Sequence, residues 1–221
     1  MAPNEVTIPL KGVKLSGELN LPPDALGLVL FAHGSGSSRH SPRNQYVART
    51  LREGRVGTLL FDLLTAEEEQ AEAYTRHLRF NIPFLADRLI GATQWAWDCA
   101  TTRDLSLGYF GSSTGAAAAL VAAAELRETI SAVVSRGGRP DLAGDSLEHV
   151  DAPTLLIAGG NDAVILRLNE EALARLPGQK ALRVVPGATH LFEEEGALET
   201  VAAMAAEWFA NHLHPMTHRL S

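Results

Sequence analysis

The stretch YFGSSTGAAAA, Tyr109 to Ala119, sets serines between two glycines where an apolar run gives way to an alanine-rich one. Gly111, Ser112, Ser113, Thr114 and Gly115 have the Gly-x-Ser-x-Gly spacing of a nucleophile elbow, a sharp strand-to-helix turn that exposes its central serine. A chain that reverses so quickly crowds the backbone on either side of the central residue, and flanking glycines remove the Cβ atoms that would clash. The helix N-terminus behind the serine offers free N–H groups to developing negative charge. Ser113 is therefore the candidate nucleophile and Ser112 the variable position. A serine ahead of a helix is also the ordinary N-cap, the alternative role here.

Acyl transfer needs two further things, amides aimed at the oxyanion and a base held by an acid. One amide is that of Thr114, the residue after the nucleophile. The other is expected in FAHGSGSS after an earlier apolar run, where the N–H of Ser35 is the candidate, Gly34 allows the close turn, and His33 orients the loop. For this elbow the order is serine, acid, histidine. Of the histidines after Ser113, His149 precedes a strand, and His212, His214 and His218 belong to the terminal helix or tail. His190, in VVPGATHLFEEE, follows the last strand on a glycine loop and is the candidate base. Asp162, after the strand PTLLIAGG, lies at the catalytic end and is the candidate acid, whereas Asp151 lies before that strand. Asp141 and Asp145 are weaker candidates. A turn or helix-capping aspartate is the alternative reading of Asp162.

These groups must be carried by an alternating scaffold. Residues 4–10 and 13–20 read as an edge hairpin across Lys11 and Gly12. LGLVLFAHG is a continuous apolar run suited to a strand buried on both faces. Helix-like segments at 43–54 and 82–99, from 114, and at 164–175 alternate with the strands VGTLLFDLL, LSLGYFG, ISAVVS, PTLLIAGG and ALRVVPG. That alternation implies right-handed crossovers and a mostly parallel sheet with helices on both faces. In the last helix Leu198, Val201, Ala205, Trp208 and Phe209 fall on one stripe. Residues 1–213 read as one α/β domain and 214–221 as a loose tail. Residues 63–81 are the least regular, with an acidic start that forms a short exposed helix or part of an active-site rim.

The composition limits the partners. With 221 residues, 46% hydrophobic and 20% charged, the chain has the make-up of a packed globular protein. A formal charge of −7 gives no positive field for nucleic acid or anionic lipid. No apolar window reaches membrane-spanning length and no signal peptide is evident, so a cytoplasmic protein is expected. The single cysteine, Cys99, reads as a buried, inert thiol. The terminal histidines read as a solvent-exposed end, and no metal is expected.

HGSGSSRHSPRN, GYFGSSTGAAAALVAA, VVSRGGRPDLAG, PTLLIAGGND and VPGATHLFEE together resemble the α/β-hydrolase superfamily, and within it the dienelactone-hydrolase-like branch. The resemblance covers about residues 27–210. It implies an eight-stranded, mostly parallel sheet, no cofactor, and hydrolysis of an ester-like bond through an acyl-enzyme. Relatives of this branch also occur joined to phosphoribosyltransferase domains. The name-giving enzymes use cysteine as nucleophile where this chain has Ser113, so dienelactone is not expected as the substrate. The short gap between ISAVVS and PTLLIAGG leaves no room for a large cap domain, which predicts an open site.

The loops around that site are basic for an acidic chain: Arg39, His40 and Arg43 after one strand, Arg136 and Arg139 after another. They are candidates for holding a carboxylate or phosphate on a small-molecule ester. Internal pairing with acids such as Asp141 and Asp145 is the alternative. The expected activity is that of a serine carboxylesterase, with thioesterase or lactonase activity available to the same triad. A non-catalytic ligand-binding module is the reading from a different class.

Overall fold

A computed structural model describes residues 4–214. Strands β1 (Asn4–Leu10) and β2 (Val13–Asn20) form the antiparallel hairpin, with Gly12 at φ +84° in the turn. β3 (Leu28–Ala32), β4 (Gly57–Phe61), β5 (Leu107–Ser112), β6 (Ile130–Arg136), β7 (Thr154–Gly159) and β8 (Lys180–Val185) complete one sheet. Its order is β1-β2-β4-β3-β5-β6-β7-β8. β2 pairs antiparallel with β4, and the neighbours from β4 through β8 are all parallel.

The helices are α1 (Pro42–Glu53), α2 (Ala66–Thr75), α3 (Ile82–Asp98), α4 (Thr114–Leu126), α5 (Ala163–Arg175) and α6 (Ala197–His212). They cover both faces, which is why the central strands are apolar on both sides. Leu30, Tyr109, Val133 and Leu156 pack with α3 and α4, whereas Phe31, Phe110, Val134 and Ile157 pack with α1 and α6. α4 is buried from Thr114 to Ala124, and its alanines combine high helix propensity with the small size that lets it lie against the sheet. In α6, Val201, Ala205 and Phe209 are buried, with Leu198 and Trp208 packed partly against the same core.

Between β6 and β7 the chain makes only the 3₁₀ segment Pro140–His149, so no large cap covers the carboxyl ends of the strands. Among the described residues no helix is long and apolar enough to cross a membrane. Of the expected loose tail at 214–221, residues 215–221, including Pro215 and His218, lie outside the described residues. His212 donates from Nδ1 to the Trp208 carbonyl at 2.7 Å.

Candidate active site

The elbow is built by close approach. Ser113 sits between β5 and α4 at φ +51° and ψ −121°, a backbone region that L-residues rarely occupy and that costs ~1–3 kcal/mol. A Cβ on Gly111 would stand 2.4 Å from Ala116 Cα, and one on Gly115 would stand 2.2 Å from the Ala32 carbonyl oxygen. Neither position can carry a side chain without moving the backbone. Ser113 occupies the N-cap position of α4, yet its side chain makes no capping bond. The capping role is therefore not taken up, and the hydroxyl is free of the helix.

Asp162 and His190 meet at the carboxyl ends of β7 and β8. His190 Nδ1 lies 2.8 Å from Asp162 Oδ2, while Asp162 Oδ1 accepts a longer bond from the Ile165 N–H at 3.4 Å as the N-cap of α5. One carboxylate thus serves both readings of Asp162, one oxygen for each. The contact leaves His190 Nε2 as the nitrogen able to take a proton, on a side chain 39% exposed. The glycine loop carrying His190 is tied down by hydrogen bonds. Asn161 donates to the carbonyls of Ala188 and Gly187, each at 2.9 Å, and Thr189 donates to Glu194. Bare Gly159 also lets β7 abut that loop, since a Cβ there would lie 2.4 Å from the Ala188 oxygen.

Ser113 and His190 flank one short link. The Ser113 N–H donates to the Arg136 carbonyl at 3.3 Å, and a Cβ on the next residue, Gly137, would lie 3.2 Å from the His190 oxygen and 3.6 Å from its Cε1. Among the described residues no hydrogen bond joins the Ser113 hydroxyl to the imidazole. Catalytic contacts of this kind often tighten only when substrate is bound. The weaker acid candidates are engaged elsewhere: Asp141 takes two bonds from Arg139, at 2.9 and 2.7 Å, and Asp145 takes one from Arg175 at 3.0 Å.

The loop after β3 lies against the start of α4. The Ser35 N–H donates to Thr114 Oγ1 at 3.0 Å, and the Thr114 N–H, the first of its helix, has no intrahelical acceptor. His33 accepts from the Leu63 N–H at Nε2, 3.0 Å, so Nδ1 carries the hydrogen and donates to the Gly34 carbonyl, also 3.0 Å. Burial holds its pKa below the ordinary histidine value, which keeps it a neutral brace. Gly34, Ser35 and Thr114 share a cleft of about 10 Å³ with Leu63, Leu64, Leu85, Glu69 and Arg79. The segment 63–81 thus packs Leu63, Leu64, Glu69 and Arg79 beside this loop and also carries an exposed acidic helix.

That helix hides a residue the sequence reading missed. Glu72 is fully buried, and its carboxylate accepts the N–H groups of His77, Leu78 and Arg79 at 2.9 Å each, together with the Thr75 hydroxyl at 2.7 Å. Burial alone would push its pKa up, but these bonds outweigh it and hold the carboxyl at about 2. Nothing local in AEEEQAEAYT distinguishes Glu72 from exposed Glu67 and Glu69.

No family model matches the chain. A dienelactone hydrolase from Anabaena variabilis is 56% identical in sequence, superposes with a TM-score of 0.94, and covers 97% of this chain and 100% of its own. This chain belongs to the dienelactone-hydrolase-like branch of the α/β-hydrolases. The fold is shared with Est1E from Butyrivibrio proteoclasticus, solved with ferulic acid bound, at 19% identity and a TM-score of 0.80 over 94% of this chain and 98% of that one. Two Mycobacterium tuberculosis proteins named "putative phosphoribosyl transferase" are 57% identical over 209 residues, 95% of this chain but 46% of theirs. The chain spans about half the length of these curated relatives.

The basic loops of this dienelactone-hydrolase-like chain divide sharply. Arg39 forms an ion pair with Asp62, and its N–H donates to the same carboxylate at 2.8 Å. Arg43 pairs with Glu193 at 2.9 Å, and Arg139 pairs with Asp141. Arg39, Arg43 and Arg139 each have a carboxylate partner within the chain. His40 is exposed, its N–H donating to Ser38 Oγ at 3.2 Å. Arg136 is buried, with Nε and Nη1 lacking a partner among the described residues. Cys99 is not the buried thiol expected from its apolar surroundings. It is half-buried just past α3, and hydrogen bonding from Thr101 lowers its pKa.

Proposed function

We propose that the chain is a cytoplasmic serine hydrolase that cleaves small carboxylic esters through an acyl-enzyme intermediate. The observation that carries this reading is the 2.8 Å Asp162–His190 contact at the same sheet edge as a strained, uncapped Ser113. His190 Nε2 takes the Ser113 proton as Oγ attacks the ester carbonyl. Asp162 holds the imidazole through Nδ1 and stabilises the imidazolium. The oxyanion meets the Thr114 N–H and the Ser35 N–H, the latter shared with or turned from Thr114 Oγ1. Each such donor contributes ~3–4 kcal/mol to the transition state of acyl transfer. His190 then protonates the leaving alcohol, and water activated by the same imidazole releases the acid. The chemistry needs no cofactor.

Serine at 113 and an uncapped sheet edge argue for small, open-access esters rather than dienelactone, whose name belongs to the Anabaena protein. The transferase name belongs to proteins about twice the length and is not carried to this chain. A fluorophosphonate probe tests the proposal. The wild-type protein should label at Ser113 and hydrolyse 4-nitrophenyl acetate, while Ser113→Ala should lose both. An unlabelled protein would be a ligand-binding module, and an S113A variant with full esterase rate would have its nucleophile elsewhere.

A further inference from the structure

Arg136 ends β6 with its side chain on the α1 and α6 face, as the alternation from buried Val134 dictates. It is 8% exposed, and neither Nε nor Nη1 has a partner among the described residues. Arg43, in the first turn of α1, also has its Nε buried without a partner, although its Nη1 is held by Glu193. Burial, reinforced by the like charge of Arg43, lowers the Arg136 pKa to about 10, which still leaves it protonated at neutral pH. A buried guanidinium facing a second guanidinium, with its donors unfilled, is an arrangement that folded chains avoid unless an anion completes it.

Its position says which site such an anion would serve. The Arg136 carbonyl receives the Ser113 N–H, the following Gly137 abuts His190, and Arg43 bridges to Glu193, three residues past that histidine. The backbone that carries these unfilled donors thus belongs to the link between nucleophile and base. We propose that Arg136, assisted by Arg43, is an oxyanion-binding subsite of the ester site, taking a carboxylate or phosphate carried by the substrate. The planar guanidinium suits either group because both offer two oxygens to its fork. This rests on the hydrolase reading for what the subsite serves, but its binding chemistry is independent of turnover.

Two measurements on wild type and Arg136→Gln test it. The first is the ratio of kcat/KM for 4-nitrophenyl hemisuccinate to that for 4-nitrophenyl acetate, which differ by a free carboxylate. That ratio should fall at least tenfold in R136Q and by a smaller factor in Arg43→Gln. The second is calorimetric binding of succinate and of glycerol 3-phosphate, where R136Q should weaken at least one ligand tenfold or more, and the ligand affected identifies the anion. R136Q should melt at or above the wild-type temperature, because an unpaired buried charge is gone. An unchanged ratio with unchanged binding overturns the subsite, and a lowered melting temperature beside them marks a purely structural arginine. Arg136-dependent binding in a protein that hydrolyses neither ester would keep the subsite and remove the hydrolase reading.

Discussion

The Ser35 N–H donates to the Thr114 side-chain oxygen at 3.0 Å, so the loop after β3 is tied to the first residue of α4 by the pair proposed to receive the oxyanion. The bond holds the Ser35 amide pointing at the helix N-terminus before any substrate arrives. Thr114→Val keeps the shape and the Thr114 N–H but removes the acceptor. Loss of one partly buried hydrogen bond should lower stability by ~1 kcal/mol and, by loosening the loop, lower kcat about tenfold. Steady-state kinetics on 4-nitrophenyl acetate decide the matter. A raised kcat would mean that the Thr114 hydroxyl competes with the oxyanion rather than positioning its donor.

The two oxygens of Asp162 do different work, and substitution separates them. Asp162→Asn retains a residue that caps helices as well as aspartate, so chemical denaturation should find its stability nearly unchanged. Its kcat should nevertheless drop by about 10⁴, the effect of losing the carboxylate behind a catalytic imidazole. Asp162→Ala should show the same drop together with ~1 kcal/mol of lost cap. Equal kcat in wild type and D162N would assign Asp162 to capping alone.

Gly115 leaves no space for a methyl group, because a Cβ there would fall 2.2 and 2.4 Å from the oxygens of Ala32 and His33. Both are backbone atoms of the β3 end and cannot rotate away. Gly115→Ala should therefore lose ~3 kcal/mol or more, at the upper end of overpacking effects. Urea unfolding of the purified variant measures it, and a change below 1 kcal/mol (~1 kcal/mol marks an ordinary substitution) would mean that α4 can shift freely.

The Glu72 clamp gives a pH dependence with a definite sign. The folded carboxyl sits at about 2, below the ~4.3 of an unfolded glutamate. A depressed folded-state pKa contributes stability that is fully present above ~4.3 and is lost as pH falls toward the folded value. Hydrogen exchange at the amides of His77, Leu78 and Arg79 should therefore be slow, relative to unstructured controls at each pH, above pH ~4.5 and lose protection between pH ~4.3 and 2. Glu72→Gln should remove that protection already at neutral pH. Protection that is the same at pH 3 and pH 6 would count against the clamp.

Much of the fold is legible in local pattern. The hairpin at β1 and β2, the continuous apolar runs of β3 to β7 and the stripe of α6 all follow from periodicities of two and 3.6 residues. The elbow is legible for a different reason, since glycines at 111 and 115 are demanded by a close approach that no other residue permits. What escapes is whatever depends on partners distant in sequence. The loop of His190 contains a glycine, but Asn161, 26 residues away from Gly187, holds it. Five basic loop residues look alike in composition, and only their surroundings separate Arg39 and Arg139, which have carboxylates beside them, from Arg136, whose Nε and Nη1 have no partner among the described residues. Cys99 misleads in the same way, because apolar neighbours in the chain say nothing of where the helix ends.

Sequence by itself determines the alternating α/β order, the place of the elbow and which serine, aspartate and histidine lie at the carboxyl ends of strands. Each is a property of a short window or of element order, and both are written along one dimension. Tertiary structure alone decides that Asp162 touches His190 across 28 residues, that the Ser35 amide lies on Thr114 across 79, that Glu72 turns inward while Glu67 and Glu69 face water, and that Arg136 is buried beside a like charge. Those facts are contacts made when strands take their places in the sheet, and a contact energy depends on the distance between atoms rather than on their separation along the chain.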